Sequence, residues 1–144
     1  MPRLRPSIAL IALVLLAFVY VAGRDFYVDR VLRFALRSDA VTIDYHREFS
    51  IPYRQITAVS FFKVPPAMKG SFLQEIGRSR IGPFNVEGVG RVEMYSPEEK
   101  HSLLIIQTMN KRYGLAPPNG ARFYRDLLAR LPGRRTPPSI GAAH

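Results

Sequence analysis

The sequence predicts a mainly β domain, an antiparallel sandwich or barrel of about seven strands that is capped by a C-terminal α-helix and preceded by one transmembrane helix. Three observations lead to this prediction: an uncharged apolar stretch near the start, a series of short segments in which apolar and polar residues alternate, and one amphipathic segment near the end. The chain therefore divides into an anchor at residues 1–28, a β-domain at residues 29–131 and a disordered tail at residues 132–144.

The composition is basic and free of cysteine. The chain of 144 residues has 21 Lys and Arg against 11 Asp and Glu, a net charge of +10. This excess favours anionic partners such as lipid headgroups or nucleic acid, although the basic residues are spread along the chain as on an ordinary solvated surface. The absence of cysteine excludes disulfides, thiol nucleophiles and cysteine metal sites.

The apolar stretch at residues 8–23 is first interpreted as a membrane anchor. As a straight helix it spans about 24 Å, which is less than the ~30 Å thickness of the hydrocarbon core. A helix that extends from Leu4 to Tyr27 gains the missing length and places arginines and aromatic rings near the headgroups.

Two alternatives to an anchor remain open. In a cleaved export signal, Arg3 and Arg5 would form the positive region, and the small residues at 21–23 the cleavage site. A core helix of a soluble domain would need more protein around it than about 100 residues supply. For an anchor, the Lys and Arg counts on the two flanks favour a single-pass protein with its C-terminal domain in the cytoplasm. The residues counted are Arg3 and Arg5 before the stretch, and Arg24, Arg30, Arg33 and Arg37 after it.

The alternation that follows predicts strands. Two strands from about Val31 onward are joined at Ser38-Asp39, and a helix over residues 24–37 is the alternative. Pro52 marks the start or edge of the next strand, and residues 65–70 form a loop. Residues 72–116 contain five further segments between turn residues, the first of them at 72–79.

The closing helix is predicted at residues 117–133, where Pro and Asn begin the segment and Pro132-Gly133 ends it. Its apolar stripe consists of Phe123, Leu127, Leu128 and Leu131. Gly82, Gly88 and Gly90 are predicted turn or bulge positions. The predicted core consists of Ile51, Val59, Phe61, Phe84, Val92, Met94, Leu104, Ile106, Phe123 and Leu127.

This order of strands and helix, together with Ile51-Pro52-Tyr53 before Ile56 and the three glycines before Tyr95, resembles the bacterial PH-like domains of the pleckstrin-homology superfold. The resemblance covers about residues 31–131 and implies a PH-like fold that often follows a membrane helix. Phosphoinositide-binding PH domains hold the headgroup with Lys and Arg of the first hairpin loop. Here that loop is only Ser38-Asp39, which argues against inositol-phosphate recognition.

Lys69, Arg78, Arg80 and Arg91 are the candidate contacts for an anionic surface, because they lie in or beside the loops of residues 65–84. The apolar and basic loop around Phe72 and Leu73 would dip into a membrane interface in one interpretation. In the other, both residues belong to the core of the next strand.

Enzymatic and nucleic-acid functions are not expected. His46, His101 and His144 lack metal-ligand spacing, and no catalytic or cofactor motif is recognisable, so no cofactor or metal is predicted. The aromatic residues fall at alternating strand positions that suggest a core, which argues against nucleic acid.

The sequence thus predicts a non-catalytic module, anchored in the bilayer through residues 8–23, that interacts with a protein partner or with anionic lipid headgroups. The alternative is an exported soluble β-domain that is released from a cleaved signal peptide and binds an unknown ligand.

Overall fold

The computed structural model describes residues 6–97 and 102–133, in which one long helix leads into two β-sheets and a closing helix. The helices are α1 (Pro6–Val31), α2 (Phe72–Glu75) and α3 (Gly120–Arg130). The strands are β1 (Arg33–Leu36), β2 (Ala40–Tyr45), β3 (Arg47–Pro52), β4 (Ile56–Phe62), β5 (Met68–Lys69), β6 (Arg80–Val86), β7 (Gly90–Ser96), β8 (Leu103–Thr108) and β9 (Arg112–Leu115). The predicted tail lies outside the described residues from position 134 onward.

Helix α1 is exposed along its apolar part and buried only near its end. By length and composition it is able to cross a membrane, and the described part of the chain buries none of its apolar window. Near its C-terminus Val28 is fully buried, and Leu32, whose N–H donates to the Val28 carbonyl at 2.9 Å, is buried as well. The helix continues to Val31, so the predicted start of a strand at Val31 is wrong by two residues and the helical alternative is right up to that point.

The first sheet is an antiparallel meander in the order β1-β2-β3. Its first turn contains Ser38-Asp39, as predicted. Pro52 ends β3, which is an edge strand of this sheet, so the predicted edge position is correct and the predicted strand start is wrong. A 3-10 turn at Tyr53–Gln55 leads into the second sheet. Pro52 occupies the last strand position because proline has no N–H to continue a ladder. The buried Tyr53 hydroxyl then donates to the Arg37 carbonyl at 2.5 Å and holds this turn against the first hairpin.

The second sheet has the order β4-β8-β9-β7-β6-β5. All its pairs are antiparallel except β7 and β9, which run parallel because the β8–β9 hairpin lies between β4 and β7. The strand predicted at residues 72–79 is wrong: Ser71 and Gln74 form a capping box, which starts the short helix α2 instead. The fold class itself, mainly β with a closing helix after an apolar helix, is as predicted.

Apolar side chains pack on both faces of the second sheet. One cluster joins this sheet to the first sheet, to α3 and to the end of α1, and it includes Val28, Val41, Leu104 and Leu127. The other cluster includes Phe84, Met94 and Ile105. Eight of the ten predicted core residues are buried, and Phe61 and Phe123 are partly buried against the first cluster. Phe72 is 77% exposed, so its interpretation as a core residue is wrong.

We predict that Gly114→Ala destabilises the domain by about 1–3 kcal/mol, because a methyl group there overpacks the second cluster. An added Cβ collides with the Met94 sulfur and lies 3.0 Å from the Val92 Cγ1. Urea unfolding of the full chain in detergent micelles measures the loss. The control is Gly23→Ala, whose Cβ has no atom within 4 Å. Equal urea concentrations at the unfolding midpoint of the two variants would contradict the prediction.

Candidate functional site

The junction between α1 and the β-domain is built around one buried carboxylate. Asp25 of α1 is 6% exposed and accepts three hydrogen bonds from the loop before β6, which we call the docking loop (residues 76–79). The Arg78 N–H donates to Oδ2 at 2.8 Å, and Ser79 donates its N–H at 3.1 Å and its hydroxyl at 2.6 Å to Oδ1. A carboxylate that accepts several charge-assisted hydrogen bonds holds its donors firmly, so the loop is fixed on the helix.

Charged side chains add a second set of links between α1 and the docking loop. The Arg24 guanidinium donates to the Ile76 carbonyl, and it lies 3.6 Å from the Asp25 carboxylate. Further along the helix, Arg78 pairs with Asp29 at 3.5 Å. The Arg78–Asp29 pair is half exposed and adds little stability, whereas the contacts around Asp25 are shielded from water.

Gly77 allows the docking loop to approach the helix closely. Its φ of +89° is in the left-handed region that favours glycine. A Cβ at this position would lie 2.7 Å from both the Val21 Cγ1 and the Asp25 Oδ2. Gly77 has no signature in the sequence, because its role depends on contacts with residues more than fifty positions earlier.

Arg80 satisfies the carbonyl groups of the same loop. Its side chain is buried, with only 7% of the residue exposed, and donates to the Gly77 carbonyl at 2.7 Å and to the Ser79 carbonyl at 3.1 Å. Arg80 was a candidate contact for an anionic surface, but the structure turns it inward, because these carbonyls next to α1 require donors. Asp25 thus accepts hydrogen bonds from the N–H groups of the docking loop, and Arg80 donates hydrogen bonds to its carbonyls.

The β2–β3 turn contacts α1 from another side. Asp25 and Tyr27 are two residues apart, which places them about 200° apart around a helix. The Tyr27 hydroxyl lies 3.1 Å from the Nδ1 of His46, which forms the turn with a φ of 59°. The Tyr27 and Tyr45 rings pack edge to face at 6.3 Å. Burial raises the pKa of the Tyr45 phenol, and the neighbouring Tyr27 raises it further. The β-domain therefore holds the helix from two sides.

The four candidate basic residues lie in two separate places. Arg78 and Arg80 belong to the docking loop or follow it directly. Lys69 pairs with Asn85 across β5 and β6, and Asn85 pairs with Arg91 across β6 and β7, so these three exposed residues form one row. Asn85 and Arg91 lie near the end of their strands opposite to the docking loop. The single basic rim that the sequence suggested is therefore not formed.

A cleft lies at that opposite end of the second sheet, and we call it the distal basic cleft. It has a volume of about 560 Å³. Its walls come from β7 and from the β8–β9 turn, and the lining residues are Arg91, Glu93, Gln107, Thr108, Met109, Asn110, Lys111 and Arg112. Of these residues only Arg91 is a candidate from the sequence, because the parallel pairing of β7 with β9 creates the cleft.

The described residues contain no group of three or more His, Cys, Asp or Glu side chains that is arranged to hold a metal ion. His46 contacts tyrosines, while His101 and His144 lie outside the described part of the chain. The arrangement around α1 is thus suited to holding a helix, and the distal basic cleft to binding an anionic group.

Comparison with known proteins identifies the family of the β-domain. The family model of the bacterial PH domain matches residues 32–131, which span both sheets and the closing helix. No curated protein and no solved structure gives a significant match. The matched segment includes the docking loop and begins directly after α1, so Asp25 and its helix lie outside the part that the family model covers.

We predict that Asp25→Asn destabilises the full chain by about 1–3 kcal/mol, because the amide turns a donor toward N–H groups that need an acceptor. The matched control is Asp29→Asn, which removes only the half-exposed pair with Arg78 and costs less than about 1 kcal/mol. Thermal unfolding in detergent micelles compares the two variants. If Asp29→Asn lowers the unfolding temperature as much as Asp25→Asn does, the proposed role of the buried carboxylate is contradicted.

We predict that Gly77→Ala displaces the docking loop from α1 and exposes the Arg78 peptide bond to trypsin. Gly88→Ala is the control, because Gly88 also has a positive φ, +74°, but has no atom within 4 Å of an added Cβ. Backbone strain affects both variants, whereas the collision with Val21 and Asp25 affects only Gly77→Ala. Limited proteolysis followed by mass spectrometry measures the rate of cleavage after Arg78 in each variant. Equal rates in the two variants would contradict the prediction.

Proposed function

Because the chain belongs to the bacterial PH domain family, we propose that it is a single-pass membrane protein whose PH domain acts as a non-catalytic interaction module at the membrane surface. PH domains are in general interaction modules that bind proteins or lipids and carry no catalytic activity. The main support for the proposal is that α1 is one continuous helix. Its first part is apolar and exposed, and its last part packs on the β-domain through Asp25 and Val28.

The exposed part of α1 requires an apolar environment. The large apolar side chains between Ile8 and Tyr20 are 50–71% exposed and surround the helix on all sides. A helix that is apolar all round is stable in a bilayer or inside a large protein, and the described chain provides no such interior. The bilayer is therefore the medium that fits this segment.

The docking contacts favour an uncleaved helix over an export signal. The sequence-based cleavage site at residues 21–23 lies inside α1. Gly77 of the docking loop approaches Val21 and Asp25, which lie on one face of the helix on either side of the site in sequence, while Ala22 and Gly23 are exposed. A peptidase needs an extended substrate, and this segment is helical, with Val21 and Asp25 close to the docking loop. These contacts support the anchor.

The short apolar segment would hold the domain close to the bilayer. Residues 8–23 span about 24 Å, less than the ~30 Å core, and such a mismatch draws the flanking residues into the headgroup region. Tyr27 and Tyr45 then lie at the interface, where phenol rings are favoured. Arg24 and Arg78 contact α1 and the docking loop near the same end of the helix and supply basic side chains there. On the Lys and Arg counts we place the domain on the cytoplasmic side.

Membrane fractionation of the full chain with a C-terminal tag tests the anchor. We expect the intact mass of the uncleaved chain and its retention in the membrane through a carbonate wash. Leu15→Arg combined with Leu16→Arg is expected to reduce retention, since each charge at the bilayer centre costs about 2.5–3.5 kcal/mol on insertion scales. Arg54→Gln combined with Arg125→Gln, which changes only exposed residues of the domain, is the control.

A soluble product whose mass begins at Arg24 would overturn the proposal in favour of an exported domain. Protease protection in spheroplasts is expected to show the domain on the cytoplasmic side.

A further inference from the structure

We propose that the distal basic cleft binds an acidic segment of a partner protein. This inference rests on the proposed function, because it names the partner class for the interaction module. The observations that carry it are the charge of the cleft, its position relative to α1 and the ordered turn that forms one wall.

The cleft gathers cations that have no anionic partner in the described chain. Arg91, Lys111 and Arg112 line it together with the single carboxylate of Glu93. None of the three cations forms an ion pair within the described residues, in contrast to Arg24, Arg37, Arg78 and Arg122. Three cations against one carboxylate leave the cleft with a net positive charge, and an anionic ligand balances that charge.

Glu93 selects the kind of anion. A carboxylate among the cations repels a compact, highly charged group such as phosphate, because it lies in the same cleft. An extended peptide places its own carboxylates against Arg91 and Lys111 while one of its backbone N–H groups donates to Glu93. A mixed lining of this kind therefore fits an acidic peptide better than a polyphosphate or a nucleic acid.

The β8–β9 turn presents a preformed surface. The Thr108 hydroxyl accepts from the Lys111 N–H at 3.1 Å and donates to the Lys111 carbonyl at 3.1 Å, which fixes the turn. Met109 at its tip is 87% exposed, so an unbranched apolar side chain stands next to the cations. An ordered wall reduces the entropy lost on binding, and Met109 supplies an apolar contact beside the charges.

The position of the cleft separates it from the lipids that surround α1. Arg91 lies five residues along β7 from Ser96, which pairs with Arg80 beside the docking loop. At 3.4 Å per residue this separation is about 17 Å along the strand. The Debye length is about 8 Å at physiological ionic strength, so headgroups that touch α1 are largely screened from the cleft. A protein partner is thus favoured over the bilayer.

The test uses the full chain in phosphatidylcholine nanodiscs and the fluorescence anisotropy of a labelled peptide composed of glutamate pairs and leucine. A peptide with glutamine in place of glutamate is the probe control. The cleft variant is Arg91→Gln with Lys111→Gln, two exposed residues. The control variant, Arg54→Gln with Arg125→Gln, lowers the net charge equally by changing exposed residues outside the cleft.

We expect the cleft variant, which loses two partly exposed charge pairs, to bind the acidic peptide about fivefold more weakly, which corresponds to about 1 kcal/mol of binding free energy. The control variant is expected to remain within about twofold of the parent chain, and the glutamine peptide not to bind. Equal weakening in both variants would overturn the inference, because net charge alone would explain it. Displacement of the peptide by millimolar inorganic phosphate would instead assign the cleft to small anions.

Flotation with lipid vesicles tests whether the cleft binds lipid headgroups instead of a protein. If the cleft variant loses flotation with phosphatidylglycerol vesicles but keeps its affinity for the peptide, the cleft is a lipid contact and the inference is wrong. Each variant is also fractionated. A parent chain that stays in the membrane but does not bind the peptide overturns this inference alone. A chain that leaves the membrane intact or cleaved overturns the proposed function.

Discussion

The hydrogen bonds of the Asp25 carboxylate connect the two parts of the molecule. Asp25 accepts from two backbone N–H groups and one hydroxyl of the docking loop, and Arg80 donates to two carbonyls of the same region. A loop beside a helix leaves backbone groups without regular partners, and burial makes unsatisfied groups costly. With both kinds of group paired, the loop packs closely on α1, and the start of β6 is fixed relative to the helix.

This arrangement makes α1 part of the domain instead of a tether. Val28 and Leu32 belong to the same apolar cluster as residues from both sheets and α3. The docking loop and the β2–β3 turn contact the helix from different sides. A domain held in this way has a defined orientation relative to its helix. In the function that we propose, that orientation places the distal basic cleft away from the lipids around α1 and accessible to a partner.

The local patterns of the sequence predicted most strands correctly where each strand buries one face. Val92 and Met94 are buried along β7 and alternate with the exposed Arg91 and the partly buried Glu93 and Tyr95, as expected from period-2 burial. The errors occurred where a local signal competed with that pattern. Ser71 and Gln74 cap a short helix inside an apolar segment, and Pro52 ends a strand instead of starting one. Periodicity alone does not separate these cases.

The sequence by itself determined the apolar helix, the mainly β fold with its closing helix and the resemblance to bacterial PH-like domains, because these depend on the order and spacing of residue types along the chain. The candidate sites were decided by tertiary structure. Asp25 meets Ser79, and Gly77 meets Val21, across more than fifty residues. Arg91 faces Lys111 and Arg112 only because β9 lies beside β7 in parallel. A single sequence contains no local signal for such pairings, since they depend on which strands become neighbours in the folded sheet.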